Sequence, residues 1–311
     1  MNPVKIVCPT NDAEEIEDLI KAGAGELYFG YVSTSWARKL SHIASSNRRY
    51  YPESSFHSMK DVAKAVAIAK KHNVPVSFAI NGSYYLKSQY PELLSQIKQA
   101  ADAGIDAVIL SDIPLMLKVR EKFPKLGLIA STCTSSFNSE SVKFYQSLGA
   151  KRVILPRHLT LDEIRTIRKK VTIELEVLGL FDWCIYDDGL CTYHHGMEKL
   201  LGVDHGCLLV NHFELVGSEG NTENDMKENM KRIVDQRIKN FQWDHFCAAC
   251  LVREFSDMGI NSFKIAGRRF PTAVKVQSLK FIHDSFAADD HDQLYFNTFQ
   301  RRHPLNANAY E

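Results

Sequence analysis

Along the chain, short runs of apolar and β-branched residues alternate with longer stretches whose apolar positions recur at helical spacing. The short runs are VKIVCP (4–9), GELYFG (25–30), PVSFAIN (75–81), DAVILSD (106–112), GLIAST (127–132), KRVILPR (151–157), TIELEVLG (172–179) and NSFKIAGR (261–268), which makes eight predicted strands. Most are separated by an amphipathic stretch such as SMKDVAKAVAIAKKHN (58–73), where Val62, Ala65, Val66 and Ala69 fall on one helical face. Four stretches end alike: IKAGAGELYFG, AADAGIDAVIL, YQSLGAKRVIL and FSDMGINSFKI each place Gly after the helix and an apolar strand just beyond. Parallel strands need crossover helices, and eight such units close on themselves, so the pattern predicts an α/β fold of the (β/α)8 TIM-barrel type. An open doubly wound sheet is the competing arrangement. It fits less well, because the first strand runs into CPTNDAEE rather than a glycine-rich phosphate cradle.

Two connections are long. Residues 31–58 are rich in Ser, Arg and Tyr, and the insertion after the seventh strand, 180–260, holds most of the cysteines. Both leave from strand C-termini, where the loops of a barrel form its catalytic face, so the cysteine-rich insertion is expected over the mouth. One barrel domain with its insertion then spans 1–285, and 286–311 reads as a polar, peripheral C-terminal tail.

Composition adds bounds. With 45% hydrophobic and 24% charged residues over 311 positions, the chain has ample apolar material for a core and lacks the bias of disorder. A formal net charge of +1 gives no argument for a nucleic-acid or membrane surface. The N-terminus carries an acidic helix-like run where a signal peptide would need a basic start and an apolar block, and no apolar run reaches the length of a membrane span. The expected location is cytoplasmic, where thiols stay reduced. Seven cysteines, an odd number, are then buried residues, metal or cluster ligands, or reactive thiols rather than a disulfide set.

Cys8, inside a strand, and Cys133 read as small buried hydrophobes. Cys184, Cys191, Cys207 and Cys247, with Cys250 close behind, sit instead among charged and polar neighbours such as Asp182, Asp187, Asp188, His205 and His245. A structural zinc site usually has two short Cys pairs, and only Cys247 and Cys250 are so spaced. A dispersed set of four thiolates suits a 4Fe-4S cluster as well, and spacing alone leaves zinc and cluster both standing.

The same residues resemble a known family. Cys184, Cys191 and Cys207, followed after about forty residues by a cysteine that opens a helix running into DMGINSFKIAGR, are similar to the U32 peptidase, or collagenase-like, family. VKIVCPTNDAEEIEDLIKAGAGELYFG, PVSFAIN and GIDAVILSDIPLMLKVREKFP resemble that family's first, third and fourth units. The resemblance implies a barrel-like fold and a 4Fe-4S cluster held by Cys184, Cys191, Cys207 and Cys247. It also implies oxygen-independent hydroxylation, as in members that act in ubiquinone biosynthesis or on an RNA base, the latter with prephenate as oxygen source. Cys247 is preferred to Cys250 because the run from Cys247 to Lys264 has the family's length. Two motifs depart: the family's KIEGR reads Lys264-Ile265-Ala266-Gly267-Arg268 here, and its Glu-x-Phe-x-x-Gly before the first cysteine is met by Glu174 with Gly179 or by Glu176 with Phe181, neither in full.

Other candidates lie at predicted strand ends. Glu174 and Glu176 share the inward face of one strand and need partners, for which Arg157, Lys264 and Arg268 are the candidates. A structural ion-pair network and a general acid or base role compete for them. Asn81 and Asp112 bind substrate or cap the following helices. Arg268 holds an anionic substrate or forms a salt bridge. His194 and His195 are solvated or hydrogen-bond near the cluster, and Arg48, Arg49, Tyr50 and Tyr51 form a lid or a partner surface. The catalytic set expected is Glu174, Glu176, Asp112 and Arg268.

The function expected is a cluster-dependent oxidoreductase performing hydroxylation. A pI of about 7.6 and the lack of an extra C-terminal domain favour a small organic substrate over RNA. A peptidase and a non-catalytic partner subunit with a structural cluster, working with a protein partner or homologous subunit, are the alternatives. No HExxH or GxSxG motif speaks for a peptidase.

Overall fold

A computed structural model of the chain describes residues 4–39, 46–48, 54–181, 184, 188–190 and 247–300. All eight expected strands are present: β1 Lys5–Thr10, β2 Glu26–Gly30, β3 Val76–Ile80, β4 Ala107–Leu110, β5 Gly127–Ala130, β6 Arg152–Ile154, β7 Glu174–Leu180 and β8 Ser262–Ile265. Each pairs in parallel with its sequence neighbour, and β1 pairs with β8, so the sheet is a closed barrel and the open alternative is excluded. Between and after the strands lie α1 Ile16–Lys21, α2 Thr34–Lys39, α3 Met59–Lys71, α4 Tyr90–Ala103, α5 Ile113–Lys122, α6 Ser139–Ser147, α7 Leu161–Lys170, α8 Val252–Asp257, α9 Thr272–Ser285 and α10 His291–Phe299.

Alternation along each strand divides the apolar residues between two cores. Val7, Tyr28, Ala79, Ile109, Ile129, Ile154 and Leu178 meet inside the barrel. Their outward neighbours, including Ile6, Leu27, Phe78, Val108 and Val153, meet the helices. The apolar stripe predicted for 58–73 is the buried face of α3, and Cys8 is fully buried in this outer core. Full burial of one such aliphatic side chain, for example Ile97 on α4, is worth about 1.5–3 kcal/mol.

Local signals mark several helix ends. Ser58, Asp112, Asn138 and Thr160 accept backbone N–H bonds at the N-termini of α3, α5, α6 and α7. The four turn glycines of the repeated motif, Gly23, Gly104, Gly149 and Gly259, all have positive φ, which a side chain would strain. The segment after 285 departs from the expected peripheral tail. Tyr295 and Phe299, four apart on one face of α10, pack on Phe281 of α9 with ring centroids 5.5 and 5.2 Å away, and Phe299 also reaches Phe181 at the end of β7 (5.7 Å). The aromatic stripe, not the polar average of the segment, decides its placement.

Candidate active site at the barrel mouth

The lower half of the barrel interior is filled with charge. Arg152, the first residue of β6, donates from Nη1 and Nη2 to Glu26 (3.0 and 2.8 Å), from Nη1 to Glu176 (2.9 Å) and from Nε to Glu174 (3.0 Å). Lys264 Nζ donates to the other Glu176 oxygen at 2.8 Å and lies 3.9 Å from the ring centroid of Tyr28. Ser77 donates to Glu26 at 2.8 Å. Burial alone would raise the Glu26 carboxyl, but the Arg152 guanidinium beside it, with hydrogen bonds from Arg152 and Ser77 and the charge of Lys5, holds it below the usual range. Burial likewise opposes charge on Arg152, and Glu176 and Glu26 outweigh it.

This network corrects the partners expected for the two glutamates. Lys264 is a partner of Glu176, but the cation that joins Glu174 and Glu176 is Arg152; Arg157 bonds Asp188 and Arg268 bonds Asn47. The reason is register. Arg152 lies opposite Glu174 and Ile154 opposite Glu176, so a guanidinium at the base of β6 reaches both, whereas Arg157 and Arg268 lie past the strand ends. Arg152 and Glu26 carried a readable signal, a charge in step with inward apolar residues two positions on (Ile154 and Tyr28), which requires a partner across the barrel.

Above this layer the strand ends form the mouth. Asn81 after β3 accepts the backbone N–H of Arg48 at 3.0 Å and donates to Ser131 at 3.3 Å, so it anchors part of the 31–58 connection rather than capping a helix. Asp112 does cap: it accepts the N–H of Leu115 (2.7 Å) and the hydroxyl of Tyr90 (2.9 Å). Arg268, buried, donates to Asn47 at 3.0 Å, which brings the end of β8 against the same connection. On the opposite side, Asp188 accepts four hydrogen bonds, from Arg157 N, Nε and Nη2 (3.0, 3.0 and 2.8 Å) and from Thr132 Oγ1 (2.9 Å). Burial works against that charge, and Arg157 prevails and keeps the carboxyl below its ordinary range. Of the expected catalytic set, Arg268 and Asp112 are at the mouth, Glu176 is inside the barrel with both oxygens bonded to cations, and Glu174 is at the opposite end.

Two of the four expected ligands are described, and both lie at the end of β7. A register shift between Leu178 and Leu180 marks that end, with Gly179 between them; a Cβ there would stand 1.9 Å from the Phe263 ring. The Gly179 carbonyl accepts the N–H of Ala248 at 2.8 Å, and Leu180 forms an antiparallel bridge with Cys247. Cys184 follows four residues after Leu180, with its carbonyl accepting from His158 Nε2 at 3.1 Å. Cys184 and Cys247 are buried, and Cys250 is half-buried in the turn before α8. Burial pushes the Cys247 thiol up more than the N–H of Ala249, 3.5 Å from Sγ, brings it down. Cys191, Cys207, His194, His195, Arg49, Tyr50 and Tyr51 lie outside the described residues. Among the described residues, no group of three or more His, Cys, Asp and Glu is arranged to hold a metal ion. A groove of about 500 Å³ on the outer wall, between α1 and α9, is lined by Asp18, Lys21 and Thr272 and is remote from this chemistry.

With this geometry in place, comparison with known proteins is informative. The profile of peptidase family U32 matches residues 11–300. The chain belongs to this family. The U32 relatives include tRNA hydroxylation protein P2 of Bacillus subtilis, 28% identical over 279 residues, covering 85% of this chain and 79% of that protein. The 23S rRNA 5-hydroxycytidine C2501 synthase of Escherichia coli is 24% identical over 85% of this chain but only 36% of its own length, and a collagenase of Porphyromonas gingivalis is 25% identical over 86% and 62%. The solved structure of the U32 peptidase Mk0906 superposes with a TM-score of 0.52 at 14% identity, covering 85% of this chain and 93% of its own, which concerns the fold. Two of these names specify RNA, against the expectation that ranked RNA below a small molecule; a chain-wide pI is blind to a local basic surface. Among the described residues no helix is long and apolar enough to cross a membrane.

Proposed function

We propose that this U32 chain is an iron-sulfur hydroxylation protein that acts on a base in RNA. What carries the reading is the match to a tRNA hydroxylation protein over 85% of this chain and 79% of that one, joined to two buried cysteines at the end of one barrel strand. Cys184 and Cys247, both buried at the end of β7, are of the donor type a thiolate-bound metal takes. A thiolate at Cys247 is costly without a neighbouring cation, and coordination provides one. Cys184, Cys191, Cys207 and Cys247 would hold a 4Fe-4S cluster, which when bound supplies one-electron transfer at the mouth.

The chain's own residues then do the rest. Arg268 and Asn47 offer a fixed donor group to an anionic part of the ligand, and Asn81, Ser111 and Ser131 present polar groups around it. The packed charge layer below, with Arg152 at its centre, forms the floor. The peptidase reading has less support: burial pushes the thiols of Cys133 and Cys247 up, the reverse of what a nucleophilic cysteine needs.

The test is to compare nucleosides of tRNA and ribosomal RNA by mass spectrometry from cells with and without the gene, complemented by wild type or by Cys184→Ala. A nucleoside one oxygen heavier should vanish on deletion, return with wild type and stay absent with the variant. Unchanged RNA in both strains refutes the RNA assignment, and anaerobically purified protein with zinc or no metal refutes the cluster.

A further inference from the structure

The Asp188 clamp joins two parts of the molecule with different tasks. Asp188 belongs to the insertion, four residues after Cys184 and three before Cys191, while every donor to its carboxylate comes from the barrel framework. Arg157 stands just past β6 and Thr132 in the turn after β5. Three further contacts tie the same stretch to the same two strand ends. Ser135 Oγ donates to the Asp188 carbonyl at 3.3 Å, and His158 holds the Cys184 carbonyl. Gly189, at φ +82°, runs so close to the 133–135 turn that a Cβ would stand 2.3 Å from Ser135 Oγ and 2.7 Å from the Cys133 carbonyl. A carboxylate with four donors and a glycine without clearance fix Asp188 and Gly189 against the ends of β5 and β6.

We propose that Arg157 and Thr132, acting through Asp188, and with His158 on the Cys184 carbonyl, are positioning residues, so that the ends of β5 and β6 determine where the Cys184 thiol stands. This rests on the cluster reading. None of the three touches the metal; their effect passes through the loop backbone, as outer partners act on ligands in other metal sites. The clamp also explains why a charge is tolerated at a buried position: the Arg157 guanidinium neutralises Asp188, which serves as a tether rather than as a ligand.

The experiment uses the full chain purified without oxygen, as wild type, Asp188→Asn, Thr132→Val and Gly189→Ala, with Asp102→Asn on the exposed face of α4 as control. Iron and acid-labile sulfide are measured, then the visible circular dichroism of the bound cluster, the rate of iron loss to a ferrous chelator, and the melting temperature of the iron-free protein. Each of the three variants should lose iron about tenfold faster or more and show an altered visible spectrum. Thr132→Val should do so with the iron-free melting temperature lowered by only about 2–4 °C, which separates positioning from folding even if Asp188→Asn is too unstable to purify. Loss rates and spectra equal to wild type in loaded variants overturn the positioning role and leave the cluster intact. Wild type without iron overturns both.

Discussion

Arg152→Met is the sharpest test of the charge layer inside the barrel. The substitution keeps an unbranched apolar stem of about the length of arginine's aliphatic part and removes the cation shared by Glu26, Glu174 and Glu176. Arg152, Glu26 and Glu176 have side chains no more than 3% exposed, so solvent cannot replace what is lost. Removing one member of a buried pair costs about 3–5 kcal/mol. The costs at the two glutamates do not add in full, because Lys264 stays on Glu176 and Ser77 on Glu26. At about 2 °C per kcal/mol for a chain of this size, the iron-free protein should melt about 6–10 °C lower at neutral pH. The pH dependence is a second check. In the wild type the Glu26 carboxyl is held low, so its contribution to stability is full above the unfolded value, about 4.3, and is lost as pH falls through the folded one. In the variant, burial without Arg152 moves the same carboxyl up, and protonation relieves a buried charge. The deficit should therefore be largest at neutral pH and shrink toward about pH 5. Thermal melts across this range decide the matter: an unchanged neutral melting temperature, or a deficit that grows with acid, refutes the reasoning.

Three further outcomes follow from the packing. Cys184→Ala and Cys247→Ala should abolish bound iron in anaerobic preparations while Cys250→Ala keeps it, read by iron and sulfide content; loss with Cys250→Ala instead would exchange the fourth ligand. Gly179→Val drives a side chain into the Phe263 ring where Ala248 docks, and limited proteolysis should show faster cleavage near Cys247 than in wild type. Phe299→Ala removes a half-buried ring that bridges Phe181, Phe281 and Tyr295; the loss should stay below the about 3–5 kcal/mol of a fully buried Phe→Ala change, read by denaturant unfolding, and no change would show α10 to be dispensable.

On the proposed reading, a rigid barrel and the loops anchored on its strand ends divide the work. The wall and floor are over-determined by packing and by ion pairs, so the strand ends are fixed platforms on which loops are anchored: Asn81 and Arg268 hold the 31–58 connection, Gly179 and Leu180 the Cys247 segment, and Arg157 and Thr132 Asp188. The family's relatives differ in named substrate, from tRNA to 23S rRNA to collagen-directed activity, and such loops are where a shared barrel can differ.

Eight strands, the α3 face and the four turn glycines were legible in the sequence because each depends on nearby residues: period-two and helical alternation, a capping side chain, a backbone angle that favours glycine. The same alternation shows that Glu174 and Glu176 face inward. It does not say what they meet, since a partner across a barrel is chosen by strand register and tilt. Arg152 and Glu26 bond although 126 positions separate them, and Arg157, closer in sequence to the expectation, is drawn to an insertion residue instead. The average polarity of the last segment likewise concealed two aromatic rings that only a packed wall could receive. Local conformational preference is written in neighbouring residues, and so the fold class was determined by sequence alone; the pairing of buried charges and the anchoring of loops depend on which surfaces closure brings together, and only the tertiary structure decided those.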